Sequence, residues 1–305
     1  MSFASEAKSE LCRVKRTRKC CAVAECYGIL LHCSSFTSRE IRILTGHAGF
    51  ASMLPRLFRK AFGVSFDSLP GPEVKPGARS TLLITAPDKI TAVFRAFGME
   101  PDDTLTLHIN LGVLENDCCK SAFVRGAFLA GGSMTDPAKR YHLEMATTHA
   151  AVSREMCALL GELGFESGLA RRSGSYVVYF KQSEAIADFL TLIGADVSAM
   201  GTISARVEKD MRNEINRKVN CDTANADKTV AAAQEQLEAI RQVERERGLD
   251  SLPEGLQQAA LLRIANPEAS LADLAALSAP SVTKSCLSHR LKRIVALARE
   301  KPEEN

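Results

Sequence analysis

The sequence predicts an α+β fold in two parts, a duplicated domain of helices and paired strands followed by an all-α tail. Three observations carry this. Residues 118–133 (CCKSAFVRGAFLAGGS) repeat residues 20–35 (CCAVAECYGILLHCSS), with Cys20/Cys118, Cys21/Cys119, Ala24/Ala122, Gly28/Gly126, Leu31/Leu129 and Ser35/Ser133 identical. A second pair, Ile90-x-x-Val93-Phe94-x-x-Phe97-Gly98 and Ile186-x-x-Phe189-Leu190-x-x-Ile193-Gly194, repeats at nearly the same offset. From residue 251 the pattern becomes three short helices separated by Asn266-Pro267 and Ser278-Ala279-Pro280.

Each half of the duplicated domain, residues 1–200 with halves at about 1–100 and 101–200, reads as helix, strands, helix, strands, helix. The repeated Cys-Cys segments open the halves as helices. Runs at 39–44, 80–84, 141–146 and 175–180 alternate apolar and polar residues with the period of a half-buried strand. Residues 50–62 and 150–163 fit the middle helices. The closing helices stop at Gly98 and Gly194, because glycine tolerates the left-handed conformation just past a helix end. Arg171-Arg172-Ser173-Gly174-Ser175 fits a hairpin tip.

Within the second repeat, Val124-Arg125-Gly126-Ala127-Phe128-Leu129-Ala130-Gly131-Gly132-Ser133 resembles the helix that gives LAGLIDADG homing endonucleases their name. The resemblance implies two such helices packed at a pseudo-two-fold axis, a duplicated (αββαββα)2 architecture. Ala24/Gly28 and Gly126/Ala130 supply small side chains one turn apart, which lets the backbones approach. In the nucleases each helix ends in a carboxylate that holds the divalent metals for phosphodiester hydrolysis. Here those positions are Cys33 and Gly131, neither of which offers a hard oxygen ligand to Mg²⁺. The expectation is a scaffold without catalytic residues, without a metal site and without a cofactor. The enzyme alternative would need other acids, Asp136 or Glu144. A nuclease-like saddle over DNA would make Arg39, Arg42, Lys139, Arg140, Arg171, Arg172 and Lys181 candidates for phosphate contact, against the plain alternative of solvated surface cations.

Composition narrows the class. In 305 residues, 46% are hydrophobic and 25% charged, which suits a globular chain with a sizeable core. No apolar run is long enough to span a bilayer, and Glu6 and Glu10 stand where a signal peptide needs its apolar stretch, so a cytoplasmic protein without membrane contact is expected, nucleoid-associated if it binds DNA. The ten cysteines include no CxxC and no zinc-finger spacing, and read as reduced, buried thiols. Net charge is only +3, so charge location matters more than its sum. Cations concentrate at residues 8–19 and again at 281–299, where Lys284, Arg290, Lys292, Arg293 and Arg299 meet no acid.

The connector, 201–250, contains Asn213, Asn216, Asn220 and Asn225, which are poor helix formers and good side-chain to backbone bonders, and reads as a linker clasp or a nucleic-acid contact. A separate helix is expected over 228–247, ending before Gly248. Asn216-Arg217-x-x-Asn220-x-x-x-Ala224-Asn225, following the degenerate repeat, resembles the WhiA family of bacterial transcription regulators. That resemblance implies a regulator tied to sporulation and cell division.

In the tail, 251–305, Pro253 suits a first helical turn. Ser270 and Asp273 form the pattern of a capping box, and Ser281 is placed to cap a third helix. That helix buries Leu287, Leu291, Ile294, Val295 and Ala298 and shows a basic opposite side. Short helix, tight turn and basic amphipathic helix together have the form of a helix-turn-helix, whose second helix enters the major groove of double-stranded DNA. Thr283, Lys284, Ser285, Ser288 and His289 are then the candidates for base edges, and Arg290, Lys292, Arg293 and Arg299 for phosphates. Asn216, Arg217, Asn220 and Asn225 are the linker candidates. The function expected is sequence-specific DNA binding; the alternative is a docking platform for another regulator or RNA polymerase.

Overall fold

The computed structural model describes residues 2–71, 79–101 and 106–300, and the chain divides into two units, Met1–Asp210 and Met211–Asn305. Residues 301–305 of the expected tail lie outside the described residues.

The first unit opens with α1 (Phe3–Arg13), an element the sequence reading did not place. Next come α2 (Lys19–Leu31), β1 (Ser35–Phe36), β2 (Ile41–Thr45), α3 (Ala48–Phe62), β3 (Ser80–Ile84) and α4 (Pro87–Arg95). The second half runs α5 (Asp117–Gly131), β4 (Gly132–Met134), β5 (Leu143–Thr147), α6 (Ala150–Glu162), β6 (Gly168–Arg172), β7 (Ser175–Phe180) and α7 (Ser183–Ile193).

This half is a complete αββαββα unit with an antiparallel sheet ordered β4-β5-β7-β6. Its β6–β7 hairpin closes on Ser173 (φ 46°) and Gly174 (φ 83°), two consecutive left-handed residues whose twist matches that of the strands they join. The first half is less complete. Its sheet is ordered β1-β2-β3, and among the described residues the counterpart of β6 is reduced to one bridge, Ser68 to Leu83. Pro70 follows, a residue with no amide to continue a ladder.

The two repeats pack against each other through α2 and α5, both buried around most of their circumference. Gly28 and Gly126 mark the crossing. A Cβ on Gly28 would overlap the Phe123 carbonyl, and one on Gly126 would overlap the Glu25 carbonyl. Glu25 and Phe123 are themselves paired by the repeat, so the crossing is symmetric. Beside it, the fully buried Glu25 carboxylate accepts from Arg16 Nη2 at 2.7 Å and from Arg125 Nη2 at 3.1 Å.

Two cations of the 8–19 cluster, Arg16 and Lys8, are therefore structural. Arg16 is tied to Glu25 and also donates to the Val14 carbonyl at 2.6 Å, while Lys8 lies over the Phe128 ring, 5.8 Å from its centre. Burial pushes the Lys8 amine down to about 8.

The segment read as a linker followed by a separate helix is helical throughout: α8 runs from Asp196 to Arg247. The asparagines do not break it, because each costs only a few tenths of a kcal/mol, roughly, relative to better helix formers, and no Pro or Gly occurs between Gly201 and Gly248. Residues 211–232 are exposed along its whole circumference, so Asn216, Arg217, Asn220 and Asn225 clasp nothing else in the described chain. Asn225 instead reaches Cys221 one turn back, at 3.6 Å.

The second unit adds α9 (Glu254–Ala265), α10 (Leu271–Leu277) and α11 (Lys284–Arg299) to the end of α8. Its core is Ile240 and Val243 from α8, Ala259 and Ala260 from α9, Leu274 from α10, and Leu287, Leu291, Ile294 and Ala298 from α11. Among the described residues no helix is long and apolar enough to cross a membrane.

Candidate nucleic-acid interface

The tail forms the expected three-helix arrangement, with two changes at its ends. Ser270 and Asp273 make the capping box of α10, the Ser270 hydroxyl accepting from the Asp273 amide at 3.3 Å. The cap of α11, however, is Thr283 and not Ser281. The Thr283 hydroxyl oxygen accepts from the Cys286 amide at 3.2 Å, satisfying an amide that the helix leaves unpaired. That bond fixes the rotamer of Thr283 against the helix end, while its O–H keeps a donor for a further contact.

Successive residues of an α-helix turn by about 100°. The buried line of α11 passes through Leu287, Leu291, Ile294 and Ala298. Ser285, His289, Lys292 and Arg293 lie opposite it and are exposed; Lys284 is exposed nearer the edge and Ser288 is half-buried. Val295, expected in the core, is half-buried beside it. The division into base and phosphate candidates thus does not follow faces of the helix: Lys292 shares one ridge with Ser285 and His289. Arg290 is half-buried, its guanidinium folded over Gly255 of α9. Arg299 donates to Glu235 at 2.6 Å and meets any phosphate in competition with that carboxylate.

A buried arginine ties together the elements against which this helix packs. Arg263 of α9 is 1% exposed and has no carboxylate partner among the described residues; its Nε donates to Gln236 Oε1 at 3.0 Å and its Nη1 to the Ala269 carbonyl at 2.7 Å. One side chain thereby links α8, α9 and the turn into α10. Burial pulls its pKa below the usual arginine value. The sequence carries no signal for this role, since an arginine in an amphipathic helix reads as surface.

On the duplicated domain, Cys33 and Gly131 lie at the ends of α2 and α5. Cys33 Sγ donates to the carbonyls of Leu30 and Ser35, both at 3.2 Å, and burial pushes its thiol up to about 12. At Gly131 a Cβ would overlap the Ala146 carbonyl of β5, so the backbone itself occupies the space of a side chain. The alternative acids are engaged elsewhere. Asp136 accepts from the Ala138 amide at 2.9 Å in a turn, and Glu144 pairs with His142 at 3.0 Å and Arg172 at 3.1 Å.

The expected saddle cations are all exposed, yet several have partners. Arg42 bonds Glu40 at 2.7 Å and Arg172 bonds Glu144, while Arg171 and Lys181 lie over the rings of Tyr176 and Tyr179. Arg39, Lys139 and Arg140 sit in turns. A salt-bridged arginine offers a phosphate less than a free one, because the existing pair must be given up.

The fold also brings together residues that the sequence reading left apart. The adjacent pairs Cys20-Cys21 and Cys118-Cys119 converge at the starts of α2 and α5. Their equivalence in the repeat was the available signal; the zinc-finger spacing sought along the chain does not register ligands contributed by two separate helices.

Comparison with known proteins gives the following. A family model described as the WhiA C-terminal HTH domain matches residues 215–298, and one described as the WhiA LAGLIDADG-like domain matches residues 120–212. A protein named probable cell division protein WhiA from Ruminiclostridium cellulolyticum is 36% identical, the match covering 98% of this chain and 97% of that one. One of the same name from Clostridium botulinum (strain Hall) is 35% identical, with 98% of each covered. The crystal structure of full-length DUF199/WhiA from Thermatoga maritima superposes with a TM-score of 0.60 at 25% identity, covering 98% of each chain.

Proposed function

The chain belongs to the WhiA family, and from that premise we propose that it is a sequence-specific DNA-binding transcription regulator acting on cell-division or sporulation genes at the nucleoid. The observation that carries the proposal is the solvent face of α11. Ser285, His289, Lys292 and Arg293 stand exposed on it, and residues 281–299 contain no acid. A capped, basic helix packed by its apolar side on two shorter helices is the arrangement that places side chains in a major groove. Thr283, Lys284, Ser285, Ser288, His289 and Lys292 are the base-edge candidates, and Arg293, with Arg299 in second place, the phosphate candidates.

The duplicated domain contributes as a non-catalytic scaffold. Cys33 and Gly131 support this, the first a neutral thiol bonded to backbone and the second a position closed by backbone. Arg39, Lys139 and Arg140 are its leading candidates for additional phosphate contacts.

The test maps the genomic DNA bound by the full chain and by a Ser285→Ala/His289→Ala variant. The variant is expected to lose its site preference while keeping non-specific binding. Unchanged preference overturns the assignment to α11. Specific cleavage of that DNA with Mg²⁺ or Mn²⁺, abolished by Asp136→Asn, overturns the non-enzymatic reading.

A second reading, protein docking, is favoured by one observation. Val197, Met200, Ile203 and Val207 are exposed at spacings of three to four residues along the start of α8. Another regulator or RNA polymerase is the partner this reading proposes. Substituting Met200→Glu with Ile203→Glu is expected to abolish capture of purified RNA polymerase or of the regulator, and to leave DNA binding intact.

A further inference from the structure

We propose that Cys20, Cys21, Cys118 and Cys119 form a site for one thiophilic divalent ion of the Zn²⁺ class, bound as a four-thiolate centre across the pseudo-two-fold axis. The four Sγ atoms all lie within 4.8 Å of one another, and among the described residues no other group of three or more His, Cys, Asp or Glu side chains is so disposed. A tetrahedral zinc with Zn–S bonds of about 2.3 Å holds its sulfurs about 3.8 Å apart. Closing the cluster on an ion therefore requires sulfur movements on the order of 1 Å or less, within the reach of side-chain torsions. A cubane iron–sulfur cluster interposes several metal atoms and spreads its thiolates further, so the tight grouping selects a single ion. Soft sulfur ligands with no oxygen donor among them select zinc-like ions over Mg²⁺ or Ca²⁺.

The positions of the four thiols suit the charge they would carry. Arg18 and Asn116 are the N-caps of α2 and α5, which puts the cysteines at the second and third positions of both helices. Neither cap residue uses its side chain to bond the first-turn amides. The four thiols thus lie in the first turns of two helices, each N-terminus being equivalent to roughly half a positive charge. Arg18 Nη1 lies 3.7 Å from Cys118 Sγ. Binding releases protons: four thiols and one Zn²⁺ give a four-thiolate complex of charge −2 and four H⁺, with no change of oxidation state. The helix ends and Arg18 offset that net negative charge. Cys20 is exposed and Cys119 buried, which leaves an entry path on one side and a dry wall on the other.

The consequence is mechanical. The helix pair that lacks hard-ion ligands at its C-terminal ends gathers soft ligands at its N-terminal ends, where an ion would pin one repeat to the other. Binding only the folded arrangement, the ion would also stabilise the duplicated domain by mass action.

The test uses the full-length chain, reduced and freed of metal with a chelator, titrated with Co²⁺ and then Zn²⁺. The expected result is one Co²⁺ per chain, with thiolate-to-cobalt charge transfer and the intense visible bands of tetrahedral cobalt, bleached by one equivalent of Zn²⁺. Zn²⁺ should also raise the thermal unfolding midpoint. Cys21→Ser/Cys118→Ser should abolish the bands and the shift, while Cys221→Ser keeps both. Two results overturn the proposal: a reduced wild-type chain that takes up no tetrahedral Co²⁺, or bands that survive in the double variant. Because the first is read on the wild type, a folding defect in the variant does not protect the idea.

Discussion

The carbonyl of Glu25 lies so close to Gly126 that no side chain can stand between them, and the repeat-related contact between Phe123 and Gly28 is the same. The two central helices therefore meet backbone to backbone. Gly126→Ala must push α2 away from α5 and is expected to destabilise the chain by about 3 kcal/mol, near the upper end for overpacking. Urea unfolding checks this, with the midpoint falling at constant slope. A change below about 0.5 kcal/mol would contradict the close crossing.

Glu25 is also the buried anion between Arg16 and Arg125. Glu25→Gln leaves two guanidinium groups without a counter-charge in the core, and breaking a buried pair from one side costs about 3 to 5 kcal/mol. The same urea titration reads it. Removing one guanidinium with Arg125→Met in the Glu25→Gln background should recover part of the loss, since one of the two unpaired charges is then gone.

Acid should weaken the duplicated domain through His32. Its ring is buried and Nδ1 lies 2.9 Å from the Gly28 carbonyl; burial pulls its pKa down to about 4 against that hydrogen bond. An unfolded histidine titrates near 6.5, roughly. Between these values the unfolded chain takes up a proton that the folded chain refuses. The contribution is therefore complete above pH of about 6.5 and lost as pH falls toward 4, by up to about 3 kcal/mol. Urea midpoints across that window should fall, and the fall should be shallower in His32→Gln.

Arg263 holds the tail together by hydrogen bonds, with no counter-charge among the described residues. Arg263→Ala strands the Gln236 amide oxygen and the Ala269 carbonyl and is expected to cost about 2 to 3 kcal/mol. Thermal melting of the second unit reports it. Specific DNA affinity should fall with the melt even though Arg263 is itself buried away from solvent.

Salt dependence separates phosphate contacts from spectators. Each phosphate neutralised contributes about 0.9 to the slope of log affinity against log salt. Lys292→Ala with Arg293→Ala should flatten that slope by about 2 if both reach phosphates, and by about 1 if Lys292 reads a base. Arg299→Ala should change it less, because Glu235 already holds that guanidinium.

Much of this was legible along the chain because the signals are local. The 3.6-residue and two-residue periods marked the helices and strands that bound each repeat, and glycine after Ile193 stops α7 in the left-handed conformation as expected. The central helices were legible from their repetition. The asparagines of the connector suggest a linker, yet with no Pro or Gly between Gly201 and Gly248 the helix α8 runs through them. The cap of α11 falls two residues later than Ser281, at Thr283; both offer a capping hydroxyl, and the backbone path selects between them.

The sequence by itself determined the duplication, the small residues at the helix crossing, the absence of carboxylates at Cys33 and Gly131, and the basic character of the last helix. These depend on residue identity and on spacing within one element. The tertiary structure alone decided which cations are free and which are committed, placing Arg16 and Arg125 on Glu25, Arg290 over Gly255 and Arg299 on Glu235. It alone gathered four thiols from two distant segments. Hydrogen bonds, ion pairs and metal geometry act over a few ångströms in space, and distance along a chain says little about that separation until the chain has folded.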